Sequence, residues 1–428
     1  MIPRYALLPL AGVLLAGCFP ESENQSNTED NSNTDQTTTQ LNEQILDISR
    51  LGVIATASSD YQTSDIAVFG TDAEYNLTVI EGGFATTELT DIGISTFGNE
   101  LYREGRYQSD NLTKYSLSSD LTPDLDWQYS VLDEGDSSAN PYSLTFKSSG
   151  QAYMTRYDSA DLWIIDPSVS SSGLADFRLG EIDLSAYATG SGGVPRMNNA
   201  LLVDDKLYVL MERLDSDYTA VEQSYLAVIN TDTYTEIDTE IDTTPGDTDD
   251  LNGIELPVRN ASNLSYHDGT IYISGRGHTS YGASDAAKYS GGIATVSTTD
   301  YTTALLIDDG DGTAHQYGQF QRVEVVDANH GYFVGREGWG NDTLYHFSPS
   351  NPDSITAVSG LSGINISAIE AIALSDPEAR YTSLLYVGVQ AGSADETGRI
   401  KVVNVLDQTI LASFNLSFNP TDIEFMDR

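Results

Sequence analysis

The chain is poor in cysteine, in basic residues and in long apolar runs, and each shortage removes a class of protein. A single cysteine, Cys18, stands in 428 residues, so no intrachain disulfide forms. If that residue is taken for another purpose, a thiolate metal centre and a cysteine nucleophile are excluded as well. Only 20 basic residues face 64 acidic ones, for a net charge of −44, which repels nucleic acid and anionic lipid headgroups alike and reads chiefly as solubility. Past the amino terminus there is no second hydrophobic span. Segments of helical period are also missing, which argues against an α/β fold. The histidines, His267, His278, His315, His330 and His346, are scattered without zinc spacing.

What the chain has instead is a recurring tyrosine-bearing strand. It reads Leu101-Tyr102-Arg103, Ala152-Tyr153-Met154, Leu207-Tyr208-Val209, Ile271-Tyr272-Ile273, Gly331-Tyr332-Phe333 and Leu385-Tyr386-Val387, with a degenerate copy at Val53-Ile54-Ala55. A period of roughly 45–65 residues is that of a β-propeller. Each copy divides into four short strands rich in β-branched and aromatic residues, clearest at Tyr142–Phe146, Gln151–Thr155, Leu162–Asp166 and Phe177–Ile182. The expected fold is therefore all-β, a seven-bladed β-propeller.

The ends show how such a ring closes. Asn140-Pro141-Tyr142-Ser143-Leu144-Thr145-Phe146 opens one repeat, and Asn419-Pro420-Thr421-Asp422-Ile423-Glu424-Phe425 ends the chain. The carboxy-terminal segment is thus a first strand without a second, while the copy at 51–80 lacks a first. Joined, the two make one blade and leave no open sheet edge. Seven repeats closed in this way over residues 45–428 resemble the YVTN/NHL-like class of bacterial propellers. The resemblance implies a fold and no catalytic residue, since a propeller hosts unrelated activities.

Arg4, the apolar Ala6–Ala16 run and Leu15-Ala16-Gly17-Cys18 form a signal-like segment too short to span a bilayer. It resembles the lipobox of bacterial lipoproteins. That resemblance implies cleavage after residue 17, acylation of Cys18 and, with Phe rather than Asp at position 19, anchoring in the outer membrane, leaflet open. Residues 18–44 are dominated by Asn, Thr, Ser, Gln, Glu and Asp and are expected to be a disordered tether, with the propeller domain from 45 to 428.

Site candidates come from the loops that open on one face. Arginine follows the repeat tyrosine at Arg106, Arg156, Arg213, Arg276 and Arg336, and Arg196, Arg259 and Arg322 stand at the entries to first strands. Eight of the fifteen arginines are thus expected at one mouth, as an anion funnel or as ties to Glu212, Glu337, Asp158 and Asp215. Tyr107, Tyr157, Tyr281 and Trp339 share those loops and offer stacking faces for sugar rings. Asp308-Asp309-Gly310-Asp311-Gly312 is a calcium candidate through Asp308, Asp309 and Asp311, and Asp247–Glu255 a second, neither in EF-hand register. Arg276, His278 and Tyr281 could serve eliminative cleavage of an acidic polysaccharide.

These readings lead to a membrane-anchored, monomeric binding module for a protein or anionic ligand, with no required cofactor. A lyase acting on acidic glycans is the alternative.

Overall fold

A computed structural model describes residues 35–84, 91–189, 193–239, 251–278, 284–375, 379–393 and 396–428. Strand after strand pairs antiparallel with its sequence neighbour, and helix among the described residues is confined to the four-residue turns Leu174–Phe177 and Asp285–Lys288 and one 3-10 turn. The innermost strands are Ile92–Phe97, Pro141–Ser148, Met197–Val203, Ala261–His267, Gln319–Val325, the second half of Asn351–Ala373, and Asn419–Asp427. Each packs against the next and the last returns to the first, so the sheets stand around a central axis as a β-propeller.

Burial follows radius. Second strands such as Lys206–Met211 are buried almost throughout, because both of their faces meet a neighbouring sheet. Outer strands such as Pro123–Ser130 are mostly exposed. The repeat tyrosines sit at the boundaries between sheets: Tyr102, Tyr153, Tyr208, Tyr332 and Tyr386 are fully buried. Burying such a side chain contributes about 1.5–3 kcal/mol, but that alone would be served by phenylalanine. The hydroxyl explains the choice. Tyr153 donates to Thr231 O, Tyr208 to Thr298 O at 3.5 Å and Tyr386 to Ile45 O, each on the following sheet, Tyr332 donates to Val405 O at 2.9 Å beside the strand Arg399–Asn404, and Tyr102 turns instead to Glu100 on its own strand. The recurring tyrosine is therefore a latch between sheets.

The closure read from the sequence is present. Asn419–Asp427 pairs with Arg50–Ala57, Glu424 opposite Val53 and Ile423 opposite Ile54, as the innermost strand of a sheet whose other members are Ser64–Thr71, Asn76–Glu81 and Asp35–Gln40. That last strand corrects the tether boundary. Asp35–Gln40 pairs in register with Asn76–Glu81, and Ile45 and Leu46 are fully buried. The threonine-rich run DQTTTQ has the β propensity to cap an exposed edge, which its polar composition masked.

Seven separate sheets are also not what hydrogen bonding draws. Five separate sheets are followed by one of seven strands, from Gln319–Val325 to Ile410–Asn415. The reason is the continuous strand Asn351–Ala373: its first part pairs with Asn341–Ser348 and its second with Ser383–Gln390. Gly360 and Gly363, at φ 78° and 68°, sit at the register shifts of its first part, just before the partner changes between Ile364 and Asn365. The lipobox, Cys18 and Tyr281 lie outside the described residues, as do residues 247–250 of the Asp247–Glu255 loop.

Candidate functional site

Six of the inner strands carry a register shift one to three residues inside their entry. The shifts fall between Pro141 and Ser143, Met197 and Asn199, Ala261 and Asn263, Phe320 and Arg322, Ile366 and Ala368, and Pro420 and Asp422. A β-bulge leaves its extra residue unpaired and re-aims its side chain. The six extra residues are Tyr142, Asn198, Ser262, Gln321, Ser367 and Thr421, and every one lines a central cavity of about 830 Å³.

Inner-strand side chains also bind the ring together. Thr145 donates to Ala200 O, Asn198 to Ala261 O, Ser262 to Gln321 O and Ser367 to Pro420 O, at 2.6–3.2 Å. Asn263 and Ser265 accept from the backbone N–H groups of Val323 and Val325. The wall is thus polar and largely satisfied by its neighbours, which keeps the cavity preformed.

Four of the eight predicted arginines reach this cavity: Arg106, Arg276, Arg322 and Arg336. Each meets a carboxylate. Arg276 donates to Glu212 at 2.6 Å, and Arg336 grips the buried Asp342 bidentately at 2.6 and 2.8 Å. Arg106 lies 3.8 Å from Asp91 and donates to Tyr142 O, while Arg322 lies 3.8 Å from Asp422. Glu212 is a hub, since Tyr157 and Asn198 donate to it as well.

The other four arginines lie away from this cavity, which corrects the expectation of one shared mouth. Arg156 is fully buried, paired with Asp133 and stacked on Trp163. Arg196 pairs with Asp158 and opens its strand at φ 61°, the backbone role that Asn140 and Asn260 fill at φ 53° in neighbouring repeats. Arg213 binds Glu222 and the Tyr187 carbonyl. Arg259 donates to Gln223 and lines a separate cavity of about 330 Å³. Glu212 and Asp158 are thus ties as anticipated, though Glu212 serves Arg276 rather than its neighbour Arg213.

Trp339 stands at the cavity rim. The hairpin turn between Gly331–Gly338 and Asn341–Ser348 carries it, 77% exposed, with the Arg336 guanidinium 5.7 Å from its ring. Tyr107 is exposed, whereas Tyr157 is buried and stacked on Tyr142. Arg276 lines the cavity and His278 does not.

The calcium candidate does not assemble. Asp308 caps Gly310 N–H, Asp311 caps Thr313 and Ala314, and Asp309 turns inward to Gly291 N–H. Among the described residues no group of three or more His, Cys, Asp or Glu side chains is placed to hold a metal ion. Short acidic turns satisfy their own backbone first.

Sequence reading missed a row of glutamates further along the inner strands. Glu324 stands opposite Tyr332, Glu370 opposite Tyr386 and Glu424 opposite Val53, the same register in three successive inner strands. The equivalent positions elsewhere are Ser95, Thr145, Leu201 and Ser265. All three glutamates line the cavity. Enclosure in the protein body pushes Glu324 up to about 8, and raises Glu370 and Glu424 well above the usual carboxylate range, with mutual repulsion adding to both. Position ahead of the repeat tyrosine was the available signal, hidden because the turn between the two strands varies in length, most of all at the 374–382 connection.

No described protein family matches the chain, and no curated protein does. Solved structures do. A putative 6-phosphogluconolactonase from Bacteroides fragilis aligns over 89% of this chain and 99% of its own at 11% identity, TM-score 0.54. An apocarotenoid oxygenase variant from Synechocystis aligns over 94% and 97% at 8% identity, TM-score 0.54. AztD from Citrobacter koseri, in its apo form, aligns over 87% and 83% at 12% identity, TM-score 0.45. At such identities the first two share the fold of this chain and nothing finer.

Proposed function

We propose that the protein is a non-catalytic binding module of the cell envelope, held to the outer membrane through Cys18, that takes a polyhydroxylated ligand into its central cavity. The carrying observation is the ring of six bulged residues, which sets hydroxyls, amides and a phenol around one preformed space under the exposed ring of Trp339. Flat aromatic faces stack on sugar rings, and amides and carboxylates accept and donate to hydroxyls. Acidic ligands fit less well. The four arginines at the cavity are each met by a carboxylate, and Glu212, Glu324, Glu370, Asp422 and Glu424 outnumber them on its wall. In this reading the seven-stranded sheet works as two blades sharing Asn351–Ala373, which gives seven around the axis, as in YVTN/NHL-like propellers.

The test is a glycan array probed with the wild-type protein and with Trp339→Ala. Binding of neutral or amine-bearing oligosaccharides that weakens at least tenfold in the variant, with melting unchanged, is the expected result. Binding confined to uronic-acid or sulfated glycans contradicts it.

A further inference from the structure

The deep end of the cavity has more negative charge than the protein itself answers. Glu324, Glu370 and Glu424 share one level, and Asp422 lies one strand repeat nearer the mouth. Glu324 is held by Ser265 and the Ala371 backbone N–H. Glu370 and Glu424 show no such partners among the described residues; burial acts on them first, with Glu324, Glu104 and Asp422 opposing their charge and Arg322 favouring it. Arg322 is itself engaged with Asp422.

A second observation points the same way. Glu104 is fully buried, and only one of its oxygens is used, by the Ser95 hydroxyl at 2.6 Å. Its Oε2 has no hydrogen-bond partner. That atom lies beside Gly93, where a Cβ would come within 2.9 Å of it and 2.6 Å of Arg106 Nη2. Glycine there leaves the room that the Glu104 carboxylate and the Arg106 guanidinium take up, on an inner strand whose neighbours Ile92, Ile94 and Ser95 line the cavity. Arg106 favours the Glu104 charge and Asp422 opposes it, and Glu104 in turn opposes that of Glu424, so this carboxylate is coupled to the acidic level from behind the inner strand. Five carboxylates, Glu104, Glu324, Glu370, Asp422 and Glu424, thus face two guanidiniums, Arg106 and Arg322.

We propose that this level is the recognition site for an ammonium group carried by the ligand that the cavity admits. The proposal rests on the binding-module reading and narrows its ligand to an amine. A bare metal ion fits less well, because no three of these carboxylates are placed to share one. An organic cation is larger, reaches separated carboxylates through several N–H donors, and is attracted without full dehydration. The raised proton affinities agree, since a level built to meet a cation holds protons too readily when it is empty.

The experiment is calorimetric titration of the purified full-length chain with 1,4-diaminobutane, with its neutral counterpart 1,4-butanediol, and with calcium chloride, at pH 6 and pH 8.5. Diaminobutane should bind at pH 8.5, at least tenfold more weakly at pH 6, and at least tenfold more weakly to Glu370→Gln at pH 8.5, with no heat from butanediol. Glu424→Gln provides the same comparison if Glu370→Gln does not fold. No diaminobutane binding at pH 8.5, equal binding to both variants, or calcium binding lost in their place each overturns the ammonium site. Binding of neutral glycans without diaminobutane removes this site and leaves the binding-module reading standing, whereas loss of both removes the two together.

Discussion

Arg276 reaches from one sheet to the Glu212 carboxylate of the sheet before it, Nη2 to Oε1 at 2.6 Å, and closes a cluster with Tyr157 and Asn198. Glu212 is nearly inaccessible and Arg276 about one third exposed. A residue that looked from the sequence like a ligand arginine is thereby also a fastener between sheets. Arg276→Ala should strand a buried carboxylate and cost about 1–3 kcal/mol, less than a fully buried pair because Tyr157 and Asn198 remain. Urea unfolding measures it, and an unchanged midpoint would show that the pair contributes nothing.

Closure by the carboxy terminus should be decisive for folding. Removal of residues 419–428 takes away the inner partner of Arg50–Ala57, exposes two sheet edges and deletes Thr421, Asp422 and Glu424 from the cavity wall. Losing an entire buried strand is expected to exceed the stability of about 5–15 kcal/mol typical of a domain. The truncated chain should lack a cooperative thermal transition by calorimetry. A transition matching wild type would refute the closure.

Why the closure was legible and the glutamates were not is a matter of local against non-local signals. Asn-Pro at both 140–141 and 419–420 is a repeated local word, and each tyrosine marks its strand by itself. The level of Glu324, Glu370 and Glu424 exists only once register is known, and each bulge moves that register by one. Arginines 156, 196 and 213 misled because they are spent as ties where second strands end or a first strand begins, on Asp133, Asp158 and Glu222. Spacing alone does not distinguish a side chain that faces the axis from one that faces a neighbouring sheet.

Stability should fall as pH rises from about 5 to above 8. Glu324 titrates at about 8 and Glu104 at about 7 in the folded protein, above the ordinary 4.5, and Glu370 and Glu424 move in the same direction. The folded state therefore holds protons in this window that the unfolded chain has released. The stabilisation is fully present below the unfolded value and is lost as pH passes through the folded ones, each tenfold difference in proton affinity between the two states contributing about 1.4 kcal/mol. Melting temperature against pH should decline through this window in the ligand-free protein, and Glu370→Gln should flatten the decline. A profile that rises between pH 5 and 8 would contradict the assignment.

Anchoring is tested at Cys18, the single cysteine in the chain. Cys18→Ser should abolish palmitate labelling and move the protein out of the membrane fraction. Equal labelling of the variant would end the lipoprotein reading.

The most direct test of the central claim, that the ligand enters the ring of bulged residues, is to fill that ring and measure binding. Asn199 lines the cavity on an inner strand, and Asn199→Trp places an indole where the ligand would sit. Equilibrium binding of the oligosaccharides selected on the array should be lost by at least tenfold while circular dichroism and melting stay near wild type. Undiminished affinity in a folded Asn199→Trp protein would place recognition elsewhere on the molecule and contradict the account.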